Sequence, residues 1–353
     1  MKNLGMKNLL KICLICVVCV LQFDLHAQIG GASTNSFLNL TPSAQVAALG
    51  GKMNAVPGND ASLAFYNPAL LDSTANNLLS FNFVDLFAGV RFGYVSYART
   101  NQNFGNFAAG IYYINYGKFT EADILGIITG EFSAAEYAFN LSYSRALPWF
   151  DTTLHIGVNV KPLISVFERY TSYGLLGDIG VTYRHPNQLF TAAFVLRNIG
   201  GQLTPYSDGR REPAPFEIQL GLSQKLQHAP FRFSLVVQHL QQLRLGYNEV
   251  NENPAPGQPM VREEDLKKGF DLVLDETMRH IVFGVECYPF KGLTVRAGYN
   301  YNRRQEMKVE TRPAMVGFSW GLGVNLTRIS INYASSVWHL SGASNHISVS
   351  VSL

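Results

Sequence analysis

Cysteine, charge and long apolar runs are scarce in this sequence. Of its four cysteines, Cys13, Cys16 and Cys19 lie close to the N-terminus, and only Cys287 lies further on. If the first three are removed with a cleaved signal peptide, as the N-terminal pattern described next predicts, Cys287 alone cannot form an intrachain disulfide or a cysteine-based metal site. Charged residues make up 15% of the chain, against about 25% in an average soluble domain. A net charge of +3 is also too small to indicate a nucleic-acid partner.

The N-terminus has the layout of a secretory signal peptide. Lys2, Lys7 and Lys11 precede an unbroken apolar run at 12–21, and polar and small residues follow up to Ala27. This order predicts export and cleavage after Ala27, which makes 1–27 the signal peptide. The apolar run is about half the ~20 residues that a membrane-spanning helix needs. A retained N-terminal anchor is the alternative.

After residue 27 the sequence has no apolar run of about 18 residues, the length that predicts a transmembrane helix. We therefore expect an exported protein that is periplasmic, secreted or an outer-membrane barrel. The low charge and the abundance of Tyr (17), Phe (23) and Gly (31) favour the barrel. The predicted location is the outer membrane of a Gram-negative bacterium, with outer-membrane lipid as a partner.

Alternating side chains predict strands along most of the chain. At 292–302, Leu293, Val295 and Ala297 share one face, while Thr294 and Arg296 share the other. This period of two is that of a β-strand, and many such strands in series are typical of a transmembrane barrel. We predict an all-β fold, a 14-stranded antiparallel transmembrane β-barrel over 76–353. The predicted strands are 77–86, 91–100, 104–115, 133–147, 152–168, 173–185, 189–199, 215–226, 230–240, 277–289, 292–303, 313–325, 327–338 and 344–353.

The predicted connections alternate in length, as they do in outer-membrane barrels with short periplasmic turns and long outer loops. The even-numbered links, counted from the first strand, are all short, and the long segments all lie among the odd-numbered links. The long segments are 116–132, 200–214, 241–276 and 305–312. A soluble β-sandwich, the alternative fold, has no reason to segregate its loops in this way. Charged residues within the strands follow the polar phase and are expected to face the lumen: Lys161, Asp178, Glu217, Glu286 and Arg296.

The longest interruption, 241–276, contains a stretch of helical spacing. Its apolar residues Leu266, Phe270, Val273 and Leu274 recur at that spacing, although Gly269 lies among them. Two interpretations stay open. The stretch is either a solvated loop with a partial helical turn or an element that docks a partner protein.

No catalytic motif is present. The sequence lacks a nucleophile elbow, a phosphate-binding loop and a zinc-binding His-Glu-x-x-His pattern. His239 and His280 have no second ligand at metal spacing, and the acidic run at 263–265 is followed by two lysines. We expect a protein that is not an enzyme and that has no catalytic residue, cofactor or metal site.

The segment 28–75 precedes the first strand and is small and polar. Because a 14-stranded barrel is too wide for its own side chains to fill, this segment is a candidate for a plug. Asn67-Pro68 favours a turn that leads the chain into the first strand.

Asn67, Pro68 and Ala69 resemble the hatch motif of the FadL-like barrels, which have 14 strands and an N-terminal plug. Within that superfamily, the stretches 37–51, 236–241 and 297–307 are most similar to PorQ- and PorV-like proteins of the type IX secretion system of Bacteroidota. This resemblance implies a non-enzymatic role in protein secretion. The barrel would anchor or dock secretion and cell-surface attachment proteins, including a sortase-like cysteine peptidase.

Two other functions compete with the secretion role. The first is a FadL-like transporter of hydrophobic small molecules, against which the polar lumen phase of Thr294, Arg296 and Asn300 argues. The second is an open diffusion porin.

Overall fold

The computed structural model describes residues 33–147, 154–206, 209, 211–246, 269–307, 315–339 and 342–353. It contains a closed antiparallel β-barrel in which each strand pairs with its sequence neighbours and β14 closes on β1. The 14 strands are β1 Leu78–Asp85, β2 Arg91–Asn101, β3 Gly105–Ala122, β4 Ile128–Ala146, β5 Leu154–Phe167, β6 Tyr170–Arg184, β7 Phe190–Thr204, β8 Glu217–Lys225, β9 Phe231–Val237, β10 Ile281–Phe290, β11 Leu293–Asn300, β12 Phe318–Asn325, β13 Ile329–His339 and β14 Gly342–Ser352. The predicted fold class and number of strands are confirmed.

The outer face of the barrel is apolar. On β1, Phe81 and Phe83 are 46% and 49% exposed, whereas Ser80 and Asn82 between them are buried. The same alternation exposes apolar side chains on the other strands, among them Val95, Ile111, Leu141, Val158, Leu222, Phe233, Trp320, Ile331 and Ile347. Closure leaves no unpaired strand edge, so the backbone is satisfied without water and the apolar band can face lipid.

The connections are segregated by length as predicted. The end of the barrel where Leu78 pairs with Ser352 carries the tight links, such as 185–189 and 291–292; we call it the short-turn end. The opposite, long-connection end carries 205–216, 238–280 and 301–317. Both ends of the barrel sequence therefore lie at the short-turn end.

The predicted loop 116–132 was wrong in its extent. β3 and β4 continue as a paired hairpin up to a five-residue turn at 123–127. The Asp123 carboxylate holds that turn by accepting hydrogen bonds from the amides of Leu125 and Ile127, both at 2.9 Å. Both faces of the hairpin tip are exposed, so its strands lack the alternation that marks a half-buried sheet.

Strand boundaries on the long-connection end also needed correction. β7 continues to Thr204, into the predicted loop 200–214, and β12 begins only at Phe318. Residues 277–279 belong to a helix, α2 (Gly269–Arg279), and β10 begins at Ile281. β11 ends at Asn300, and a short helix, α3 (Tyr301–Met307), follows it. The Asn300 side chain accepts a hydrogen bond from the amide of Arg303 at 3.0 Å, and this cap favours a helix over continuation of the strand. Among the described residues, no helix is long and apolar enough to cross a membrane.

The N-terminal segment, here residues 33–75, packs against the inner face of the wall. It contains helix α1 (Ala44–Ala48) and four 3-10 turns, Ser36–Asn39, Ala61–Phe65, Pro68–Leu70 and Ser73–Ala75. Asn35 contacts Ser165 near the long-connection end, and Leu71 contacts Asn106 near the short-turn end. The segment thus runs along the barrel interior and leaves at the short-turn end into β1. The predicted signal peptide at 1–27 lies outside the described residues, as do 28–32.

Candidate functional site

The Asn67-Pro68-Ala69 motif is buried where the N-terminal segment meets the wall. The Asn67 side chain caps the turn Pro68–Leu70 by accepting a hydrogen bond from the amide of Ala69 at 2.9 Å. Its amide nitrogen donates to Thr182 Oγ1 at 2.9 Å and to the carbonyl of Asn54 at 2.8 Å. One fully buried side chain therefore ties together the turn, an earlier part of the segment and β6.

Glycines of the wall make room for this motif. A Cβ added at Gly157 would lie 2.5 Å from the amide nitrogen of Ala69 and from the carbonyl carbon of Pro68. A Cβ at Gly180 would collide with Asn67 Oδ1. Inner glycines on six strands leave room for the segment in this way, since a Cβ added at any of them would lie 3.0 Å or less from an atom of the segment: Gly157, Gly180, Gly221, Gly284, Gly298 and Gly321. The segment and the wall are therefore shaped to each other at backbone level.

Inward serines satisfy the backbone of the segment. Ser348 Oγ accepts a hydrogen bond from the amide of Ala44 at 2.8 Å, at the start of α1. At its other end, Ser319 Oγ donates to the carbonyl of Ala48 at 3.0 Å. Because the ends of a helix leave backbone groups unpaired, these wall hydroxyls replace the water that burial excludes.

The exit of the segment is held by an ion pair. The Asp72 carboxylate pairs with the guanidinium of Arg184, which also donates to the carbonyl of Leu70 at 2.8 Å. Burial opposes ionisation of Asp72, but Arg184 and two hydrogen bonds from Thr74 outweigh it and hold the pKa of Asp72 below its usual value.

An aromatic cluster, which we call the aromatic sector, lies between the segment and β2–β3. Phe65 of the segment contacts Tyr94 and Tyr112, with ring centroids 5.3 and 5.5 Å apart. Phe37 stacks on Tyr112 at 5.4 Å, and Phe92 meets the same ring edge-on at 5.8 Å. Buried apolar side chains continue this cluster, including Ile114, Leu163, Leu176, Val236 and Val282.

The aromatic sector corrects the expectation of a polar lumen, which rested on Thr294, Arg296 and Asn300. Tyr94 and Tyr112 are directly paired in register and point inward, in the phase of Ser96 and Gly110. The signal was present in the sequence, because Phe92 and Tyr94 on β2 and Tyr112 and Ile114 on β3 occupy the inward phase. The segment that covers them is distant in sequence, so strand periodicity alone did not reveal a shared cluster.

Charged residues also lie near Phe65; with their ion-pair partners, we call them the charged sector. Lys161 and Asp178 form an ion pair of 2.5 Å, and both side chains are 0% exposed. Glu217 is 2.9 Å from Lys52 of the segment and 3.9 Å from Arg197. The five predicted lumen-facing charges are all buried on the inner face, which confirms that expectation.

Phe65 joins the two sectors. Lys161 Nζ lies 4.5 Å from the centroid of its ring, and the guanidinium carbon of Arg197 lies 5.9 Å from it. A cation at such a distance is attracted by an aromatic face. The place that the Phe65 ring occupies therefore favours a flat aromatic group, which can contact both the neighbouring aromatic rings and these cations.

The predicted docking residues lie apart from this interior. Phe270, Val273 and Leu274 are on α2 and are 77%, 61% and 50% exposed, while Leu266 lies outside the described residues. Gly269 begins the helix and does not interrupt it. Within the described part of the chain, no group of three or more His, Cys, Asp or Glu side chains is placed to hold a metal ion.

Neither a protein-family profile nor a curated protein sequence matches the chain. Among solved structures, the Ralstonia pickettii toluene transporter TbuX superposes with a TM-score of 0.50 at 11% identity, over 89% of this chain and 97% of TbuX. The chain has the fold of TbuX. The Pseudomonas putida toluene transporter TodX gives 0.48 at 12% identity, over 88% of this chain and 96% of its own. A Pseudomonas aeruginosa FadL homologue gives 0.47 at 12% identity, over 88% of this chain and 98% of its own.

Proposed function

We propose that this chain is a FadL-like transporter of hydrophobic small molecules in the outer membrane of a Gram-negative bacterium. The observation that carries the proposal is the aromatic sector, buried between the N-terminal segment and the wall. The fold shared with TbuX, a toluene transporter, supports the same class of cargo. The proposal involves no catalytic step.

The ring of Phe65 indicates what the cargo would look like. It contacts the rings of Tyr94 and Tyr112, and the Lys161 ammonium lies 4.5 Å from its centroid. A monoaromatic ligand could take its place and keep the same contacts, whereas an alkyl chain would lose the attraction to the cation. Passage would then require the N-terminal segment, acting as the plug, to withdraw Phe65 from the wall.

Uptake of radiolabelled toluene by cells that express the chain would test this function. We expect uptake above that of cells without it, and a further severalfold rise in Phe65→Ala, because the obstructing ring is removed. The matched control is Phe81→Ala, which removes the same group from the lipid-facing side of β1. Absence of uptake by the unaltered chain, or equal rates for the two variants, would contradict the proposal.

A second candidate is docking of secretion or cell-surface attachment proteins, as the resemblance to PorQ- and PorV-like barrels implies. The observation that favours it is the exposed apolar surface at the long-connection end. Besides Phe270 and Val273, the tip of the β3–β4 hairpin exposes Ile124 and Leu125 at 102% and 81%. The expected partners are type IX secretion proteins, including a sortase-like cysteine peptidase. Their recovery with the barrel from native outer membranes would be the test.

A further inference from the structure

The short-turn end of the barrel contains a cavity of about 1120 Å³. It lies between the last part of the N-terminal segment, at Asp72–Thr74, and the strand ends at the short-turn end. Its size slightly exceeds the usual range for small-molecule sites, about 300–1,000 Å³. We call it the basal cavity. It is separate from the aromatic sector, none of whose five rings lines it.

Cations dominate its lining. Among the described residues that line it, Arg145, Arg184, Lys225 and Arg232 carry positive charge, and Asp72 is the one carboxylate. Four cations less one anion leave a formal charge of +3, with the histidines neutral. The four cationic residues come from β4, β6, β8 and β9, so positive charge reaches the cavity from several directions.

Ion pairing does not remove this excess. Asp72 neutralises Arg184, and Glu286, just behind the lining, lies 4.0 Å from Arg232. Glu286, however, is shared with Arg296, at 2.7 Å. When Glu286 and Arg296 are included, there are five cations and two carboxylates, and the formal charge is still +3. Lys225 has no ion-pair partner among the described residues and lies 5.2 Å from the Tyr288 ring.

Two of the arginines that line the cavity have a buried donor without a hydrogen-bond partner in the part of the chain that the structure describes. Arg232 is 9% exposed, and its Nε has no hydrogen-bond partner among the described residues. The Nε of Arg184 is likewise unpaired. Buried donors are normally satisfied, and a guanidinium is well matched to the oxygens of a carboxylate or phosphate.

We propose that the basal cavity binds a small multivalent anion bearing carboxylate or phosphate groups, which enters the cavity from the short-turn end. A cleft lined by one sign of charge concentrates ligands of the opposite sign. Cations on separate strands favour an anion with more than one charged group. This site is independent of the transport function proposed above.

Calorimetric titration of the purified full chain in a nonionic detergent would test the proposal. The probes are citrate and pyrophosphate, which separate carboxylate from phosphate recognition, with acetate as the monovalent comparison. We expect citrate or pyrophosphate to bind at least about tenfold more tightly than acetate, with an affinity that falls as salt rises. Failure of both multivalent probes to bind, or binding no tighter than that of acetate, would overturn the proposal.

Three variants locate the site. Lys225→Gln and Arg232→Gln should each weaken binding about tenfold, the effect of losing one charge-assisted contact. Arg328→Gln is the matched control, because Arg328 is exposed at the same end but does not line the cavity. Equal weakening by all three would show non-specific attraction and overturn the assignment.

Asp72→Asn provides a test of opposite sign. Removal of the one lining carboxylate should free Arg184 and tighten anion binding severalfold. A loss of affinity in this variant would contradict the proposal. Heat-modifiable migration on gels would show that each variant is folded. Phe65→Ala, which changes the aromatic sector, should leave anion binding unchanged, so failure of the transport proposal is distinguishable from failure of this one.

Discussion

Gly157→Ala would test whether the N-terminal segment is seated on the wall. The new Cβ would lie 2.5 Å from two backbone atoms of Pro68 and Ala69, where ordinary contacts begin at 3.4 Å. The turn would have to move by about 0.9 Å, the difference between these two distances. Such a shift strains the bond of 2.9 Å between Asn67 and Thr182.

The expected cost is about 1–3 kcal/mol of unfolding free energy, as for other overpacked interiors. Gly174→Ala on the adjacent strand β6 is the matched control, because its added Cβ would meet its nearest neighbour at 3.4 Å. There we expect no loss, or a gain of about 0.4–1 kcal/mol from the stiffer unfolded chain.

Urea unfolding in lipid vesicles would measure both free energies, and limited proteolysis would report release of the N-terminal segment. We expect cleavage within 33–75 to accelerate in Gly157→Ala only. If the two variants have the same stability and the same cleavage rate, the segment is not seated on Gly157, and the reasoning is refuted.

Three further predictions concern charge and the outer surface. Because the folded pKa of Asp72 is depressed below its ordinary value of about 4, its pairing with Arg184 should stabilise the protein above about pH 4, and this contribution should be lost as the pH falls further, through the folded pKa; urea unfolding over this acidic range should show a loss that Asp72→Asn lacks. Lys161→Met leaves the Asp178 carboxylate buried without its cation and should lower the unfolding free energy by about 3–5 kcal/mol. The double variant Lys161→Met/Asp178→Asn should lose clearly less, and equal losses in urea unfolding would contradict the ion pair's role. Phe270 lies on an exposed face of α2, so Phe270→Asp should leave the unfolding free energy of the barrel within about 0.5 kcal/mol of the parent. Any secretion partner that docks on this face should no longer co-purify with the variant. Retention of that partner would show that it does not dock there.

The fold was largely predictable because a lipid-facing barrel imposes alternation on every strand. Successive side chains of a strand point to opposite faces, so Phe81 and Phe83 face outward while Ser80 and Asn82 face inward, and this pattern is local in sequence. The hairpin beyond Tyr116 was not predictable in the same way. Once a hairpin leaves the membrane, both of its faces are exposed, and alternation is no longer required.

The candidate site was predictable in part. Asn67-Pro68-Ala69 was recognised as a motif, but its partners Gly157 and Gly180 lie far along the chain, and only folding brings them together. The aromatic sector was missed for the same reason. Tyr94 and Tyr112 occupy inward positions whose meaning depends on contact with Phe65, and no local pattern encodes that contact.

The most direct test of the proposed transport is to locate a hydrophobic ligand in the barrel. Anomalous diffraction from crystals of the full chain soaked in bromobenzene would show where an aromatic molecule binds. Our account predicts a bromine peak within the aromatic sector, beside Tyr94 and Tyr112, at the place that the Phe65 ring occupies in the structure. Bromine found on the lipid-facing surface alone, with none in the interior, would contradict it.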